Sequence, residues 1–213
     1  MKKVISSVLL VLVLVSSAFA IPAPTSAKEF GSINLNKVHN LGKTGNTKIE
    51  KISYDQYVKE VSKSRGISKK EVQKSSTNLS KKQFSTAATK YSMHKMTIVQ
   101  DVGFLYQPKV QIYAWTYASG SFVQFKYIED IDLDRYSSLG SKHFAGKVKA
   151  KITSPTAIWW YVNGDFYNNG TTNVSISGSG SAAVKGVTVT GSFSVSKSSN
   201  HYKYWNNSGT KHR

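Results

Sequence analysis

From Tyr91 onward apolar and polar residues alternate with a period of two, whereas between Ser53 and Ser75 apolar residues recur every three or four positions. The first pattern belongs to strands with one buried face, the second to short amphipathic helices. Alternating runs at Lys95 to Leu105, Lys109 to Ala118, Phe122 to Asp134, Ala145 to Thr153, Thr156 to Val162, Thr171 to Ser177 and Val187 to Ser196 predict a mainly β fold. Roughly seven antiparallel strands of this kind form a β-sandwich or barrel. Ser119-Gly120 and Asn163-Gly164 read as two-residue hairpin turns, because these residue types tolerate positive φ.

Ahead of the strands, Tyr54, Tyr57, Val58 and Val61 share a helical face, with Ser53 as cap and Gly66 as terminator. Ser68-Lys69-Lys70-Glu71 is a capping box and opens a second helix reaching about Ser75. The unit resembles a helix-turn-helix in spacing, but a helical hairpin that covers apolar surface is far commoner. The predicted organisation is a signal peptide at 1–20, an extended leader or linker at 21–52, a helical hairpin at 53–76, a linker at 77–90 and an antiparallel β domain at 91–213. Residues 21–90 also fit a pro-segment.

The signal peptide is read from Lys2-Lys3, the apolar run Val4 to Val15 and the small-x-small end Ala18-Phe19-Ala20. Cleavage is expected after Ala20, with Thr25-Ser26-Ala27 offering a second site. The run falls short of the roughly 20 apolar residues that span a bilayer. Together with the Lys and Asn richness, this start resembles those of small secreted proteins from Gram-positive bacteria. In a eukaryotic host, Asn78, Asn169, Asn173 and Asn206 would lie in glycosylation acceptors.

The absence of cysteine removes disulfides, thiolate metal sites and cysteine nucleophiles. Net charge is +18 and stays at +16 without Lys2 and Lys3. Outside a cell such a chain is drawn to polyanions: teichoic acids, anionic lipid, acidic polysaccharide or nucleic acid.

In Phe122 to Asp134, the residues Asp130, Asp132 and Asp134 share one face, opposite Val123, Phe125, Tyr127, Ile131 and Leu133, with Glu129 interrupting the apolar row. In Ala145 to Thr153, Lys147, Lys149 and Lys151 oppose Val148, Ala150 and Ile152. Complementary charge predicts a hairpin pairing Asp134 with Lys147, Asp132 with Lys149 and Asp130 with Lys151.

Asp130 to Asp134 is no EF-hand, because Arg135 and Ser141 stand where glycine and an acid are required. The five histidines show no ligand spacing, and no nucleophile elbow is present. Catalytic, metal and cofactor sites are therefore not assigned. Along Trp159-Trp160-Tyr161, strand alternation sends Trp160 inward and Trp159 and Tyr161 outward. Trp115 with Tyr113 and Tyr117 forms a second aromatic face, and Lys203 with Trp205 a third contact; burial of these faces is the competing outcome. Thr171 to Ser196, apolar on one face and uncharged polar on the other, resembles the inserting hairpin of β-pore-forming toxins.

The expected function is a secreted cationic protein that binds an anionic cell-wall polymer or anionic membrane surface without catalysis and without specific nucleic acid. The alternatives are a membrane-active protein inserting the 171–196 hairpin and a wall-polymer hydrolase using Asp130, Asp132 or Asp165.

Overall fold

The computed structural model describes residues 47–76, 90–103, 105–137, 140–178 and 187–212. The expected signal peptide, most of the leader, the linker at 77–89 and the tip of the 171–196 hairpin lie outside them. Nine strands and two helices follow in the order β1 (Thr47–Ile52), α1 (Tyr54–Arg65), α2 (Lys69–Ser75), β2 (Tyr91–Val99), β3 (Lys109–Ser119), β4 (Phe122–Asp134), β5 (Tyr136–Ser137), β6 (Gly140–Ser141), β7 (His143–Ser154), β8 (Ala157–Ser177) and β9 (Thr188–His212). The fold is mainly antiparallel β with a helical hairpin. That hairpin sits between β1 and β2, since the last six residues of the expected leader form a strand along β2.

Both helices begin and end as their sequences dictate. Ser53 accepts a hydrogen bond from the Gln56 amide, Gly66 closes α1 in the left-handed region, and Ser68 with Glu71 completes a capping box. A non-glycine at Gly66, φ 68°, would be strained.

Sheet 1 is the meander β1-β2-β3-β4. Gly120, at φ 59°, serves the β3–β4 turn as expected. Sheet 2 comprises β7, β8 and β9, each paired with the other two. The β8–β9 ribbon folds back so that its two arms flank β7, giving a strand order of 201–212, 157–167, 143–154, 188–196 and 171–177. Register shifts near Tyr167 and Gly170, and positive φ at Lys197 and Asn200, form the bend. Apolar faces of the two sheets meet in one core that includes Ile112, Ile131 and Leu133 from sheet 1 and Val148, Trp160 and Phe193 from sheet 2.

Three expectations are corrected. First, β4 and β7 lie in different sheets, so the charge-paired hairpin does not form. Their apolar rows do meet, face to face across the sandwich, which turns the Asp and Lys rows toward opposite outer surfaces. Second, register shifts opposite Tyr113/Ala114 and Trp115/Thr116 place bulges in β4 at Glu129 and Lys126. Each extra residue resets the alternation, so Phe125, Ile128, Ile131 and Leu133 enter the inter-sheet core while Tyr127 faces the helices. Glu129 therefore does not break the apolar row. Third, Asn163-Gly164 is no turn but the middle of β8, which runs through two of the predicted strands. A Cβ on Gly164 would lie 2.7 Å from the Gly146 Cα and 2.7 Å from the Phe144 ring, so this glycine permits close approach of β7 and β8.

Candidate functional site

The two outer surfaces of the sandwich carry most of the candidate residues and differ in kind. On sheet 1, helices α1 and α2 cover the outer face, where Tyr57, Val58, Val61 and Val72 pack with Met93, Tyr113, Trp115 and Tyr127. Tyr113 is fully buried and Trp115 nearly so, which removes both from the set of surface contacts. Tyr117, half-buried, packs its ring against Tyr91 with Lys126 beside it.

A polar seam fixes the helices there. The Arg65 guanidinium donates from Nη2 to Asp130 Oδ1 at 2.8 Å and to the Ile131 carbonyl at 3.0 Å, and its Nε lies 3.5 Å from Asp132 Oδ1. Tyr57 donates to Asp130 Oδ2 at 3.0 Å, and Trp115 Nε1 donates to Glu129 Oε2 at 3.1 Å. Lys95 bridges Glu50 and Glu60 at 2.9 and 3.1 Å. Burial raises the Asp130 pKa against the pull of Arg65. Burial opposes charge on Arg65, yet Asp130 and Asp132 outweigh it and raise its pKa. Burial also raises the Tyr57 and Tyr113 phenols, and nearby carboxylates add to it, so both remain hydrogen-bond donors.

A pocket of about 360 Å³ opens beside this seam, between Tyr57, Arg65, Glu129 and Asp130 on one side and Asn173 and Ile176 of β8 on the other. Of its buried carboxylates, Asp130 already joins helix to sheet and Glu129 holds Trp115 within sheet 1. Among the described residues no group of three or more His, Asp or Glu is placed to hold a metal ion.

The outer face of sheet 2 is uncovered among the described residues. Strand register aligns its side chains in rows. Thr210, Trp159, Lys151 and Thr188 form one row; Ser208, Tyr161, Lys149, Thr190 and Ser177 the next; Asn206, Asn163, Lys147, Ser192 and Ser175 a third. None of these side chains is buried. The Trp159 and Tyr161 rings stack with centroids 6.0 Å apart and planes 6° from parallel. Lys151 lies 5.8 Å from the Trp159 ring centre and Lys149 6.0 Å from that of Tyr161. Burial, with Tyr204 nearby, raises the Tyr161 phenol pKa. At the far end, Asp165 Oδ1 lies 2.8 Å from His201 Nε2, and Tyr204 is exposed.

Of the sequence candidates, Trp159 and Tyr161 thus come together with Lys147, Lys149 and Lys151, which the sequence assigned to a different pairing. Lys203 is exposed on β9. Trp205 is half-buried: it packs on the core opposite Gly164 and donates to Gln100 at 3.1 Å, with Lys203 5.8 Å from its ring centre. Arg65 and Tyr57 escaped sequence reasoning as site residues, and the Ser and Thr alternation of 171–196 is expected there only as the polar face of an inserting hairpin. The rows could have been read from the Ser and Thr alternation in 188–196, had its neighbour strand been known. Comparison of the chain with protein-family models, with curated proteins and with solved structures returns no match.

Proposed function

We propose that this is an exported, non-catalytic protein that binds anionic cell-envelope polymers through the outer face of sheet 2. One observation carries the proposal: three lysines and a stacked Trp–Tyr pair occupy adjacent strands of a face that the described residues leave open, bordered by hydroxyl and amide side chains and free of acids across three rows. Lysines attract phosphate or carboxylate groups, aromatic rings cover the apolar faces of sugars and polyols, and hydroxyls exchange hydrogen bonds with a hydroxylated chain. Export rests on the signal-peptide pattern of residues 1–20, and attraction to polyanions on the net charge of +16 that remains without Lys2 and Lys3.

The test is co-sedimentation of residues 21–213 with anionic cell walls across a salt series, beside a variant carrying Trp159→Ala and Tyr161→Ala. Salt-sensitive wall binding that the double variant loses is the expected result. Equal binding by both proteins would remove sheet 2 from the mechanism.

A membrane-active role for the 171–196 segment is the second reading. Val174 and Ile176 of β8 are only partly buried, and both border the pocket beneath the strand. Gly170 to Ser196 holds a single charged residue, Lys185. Dye release from anionic liposomes in the same salt series separates the two readings.

A further inference from the structure

On the footing of the envelope-binding reading, we infer that the preferred ligand is a linear polyol phosphate with three carbons between successive phosphodiesters, lying along β7. Lys147, Lys149 and Lys151 project from one face of β7 at two-residue steps. Those steps place their backbones ~6.8 Å apart. A three-carbon polyol phosphate has six bonds from one phosphorus to the next, and six backbone bonds of this kind advance about 7 Å when extended. The two repeats coincide, so one lysine meets each phosphate in turn. A five-carbon polyol adds two bonds and lengthens the repeat to roughly 9 Å, which throws the third phosphate out of step by about 5 Å.

The lysine stems have limited freedom to absorb that mismatch. Lys149 and Lys151 are half-buried and stand beside Tyr161 and Trp159, at 6.0 and 5.8 Å from the ring centres. On the other side of the lysines run Thr188, Thr190 and Ser192, each directly opposite one of them. That row is ~4.8 Å away, within reach of the hydroxyl on the middle carbon of each repeat. The rings cover the methylene edge from the β8 side. Single-stranded nucleic acid has the same six-bond spacing. The unbroken hydroxyl row Thr188, Thr190 and Ser192 beside the cationic strip favours a hydroxylated linker over bases.

The experiment compares binding of residues 21–213 to poly(glycerol phosphate), poly(ribitol phosphate) and oligothymidylate at equal phosphate concentration, over a salt series, with Lys149→Gln and Lys126→Gln as variants. The expected result is several-fold tighter binding to the glycerol polymer. The log–log salt slope should be about −2, as three phosphate contacts on a flexible single strand give, and Lys149→Gln should reduce it by about 0.7. Lys126→Gln, on sheet 1, should leave it unchanged. Equal or tighter binding to the ribitol polymer overturns the spacing argument while leaving envelope binding intact. Tighter binding to oligothymidylate overturns the polyol assignment. A salt slope indifferent to Lys149 overturns the placement on β7, and binding to none of the three removes the envelope reading as well.

Discussion

Sheet 1 turns Asp130 and Asp132, with Glu129 at the adjoining bulge, away from the common core and buries them under α1, whereas sheet 2 turns Lys147, Lys149 and Lys151 away from the same core, where the described residues leave them uncovered. Both rows arise from the same alternation in strands of similar length. The difference lies in what the chain supplies above each face. Above sheet 1 it supplies Arg65, Tyr57 and a helical stripe of valines, so the acids become internal joints. Above sheet 2 the described residues supply no layer, so the lysines keep their water and their field. Charge on a strand face therefore stays available to solvent only where no second layer answers it.

The sharpest way to break this contrast is Arg65→Met. Removing one partner of a buried pair leaves uncompensated charge, and the expected cost is about 3–5 kcal/mol. Urea denaturation measures it. Adding Asp130→Asn and Asp132→Asn should recover much of the loss, because the buried charge goes with them. A cost no larger than that of a surface substitution would mean that the seam does not hold the helices to the sheet.

A second test uses pH. His94 is buried against Thr116, and burial, with Lys51 adding to it, lowers its pKa to about 4 despite an opposing backbone hydrogen bond. A folded pKa below the unfolded value of about 6.5 means that the unfolded chain binds the proton first on acidification. Stability contributed by His94 is complete above about pH 6.5 and falls as pH drops toward 4, by up to about 3 kcal/mol. Asp130 works in the opposite sense, since its raised folded pKa makes the folded state the better proton acceptor at low pH. Comparing wild type with His94→Gln isolates the histidine: the variant should show a shallower loss between pH 7 and pH 4. Parallel curves would place the acid sensitivity elsewhere in the seam.

Much of this architecture was legible from local pattern, and its failures are local too. The caps at Ser53 and Ser68, the terminator Gly66 and the period-two strands required only neighbouring residues. The partner of Asp130 could not be read in that way, because Arg65 lies 65 positions earlier on a helix. Nor could the placement of Lys151 beside Trp159. The β7–β8 turn pairs Ser154 with Ala157, a register that would set Lys151 opposite Trp160 and push a cation toward the core. A bulge at Thr153 shifts the pairing by one and sends Lys151 to the open face opposite Trp159. Bulges at Lys126, Glu129 and Thr153 each reverse an alternation that the sequence presents as continuous.

Gly164→Ala sharpens the same point. If the glycine were a turn residue, alanine would strain only a loop. In β8 its Cβ would lie 2.3 Å from the Ala145 carbonyl oxygen, so the β7–β8 ladder must spread, at an expected cost of about 1–3 kcal/mol. Thermal unfolding reads this directly, and wild-type stability in the variant would mean that the two strands approach less closely than described.

The smallest expected effect on stability is the most informative about function. Replacing Lys147, Lys149 and Lys151 together by glutamine removes three like charges from one strand face, with no described carboxylate opposite them. Surface substitutions of this kind shift stability by only about 0.5 kcal/mol each, and relief of mutual repulsion pushes the sign toward stabilisation. The two faces should then respond oppositely: removing the Arg65 partner of the sheet 1 acids destabilises the protein, while neutralising the row on sheet 2 leaves stability nearly unchanged and abolishes salt-sensitive binding to walls. A triple variant as unstable as Arg65→Met would make the lysines structural and end the contrast. One that stays stable and still binds would assign attraction to the net charge of the whole chain, which no single face then owns.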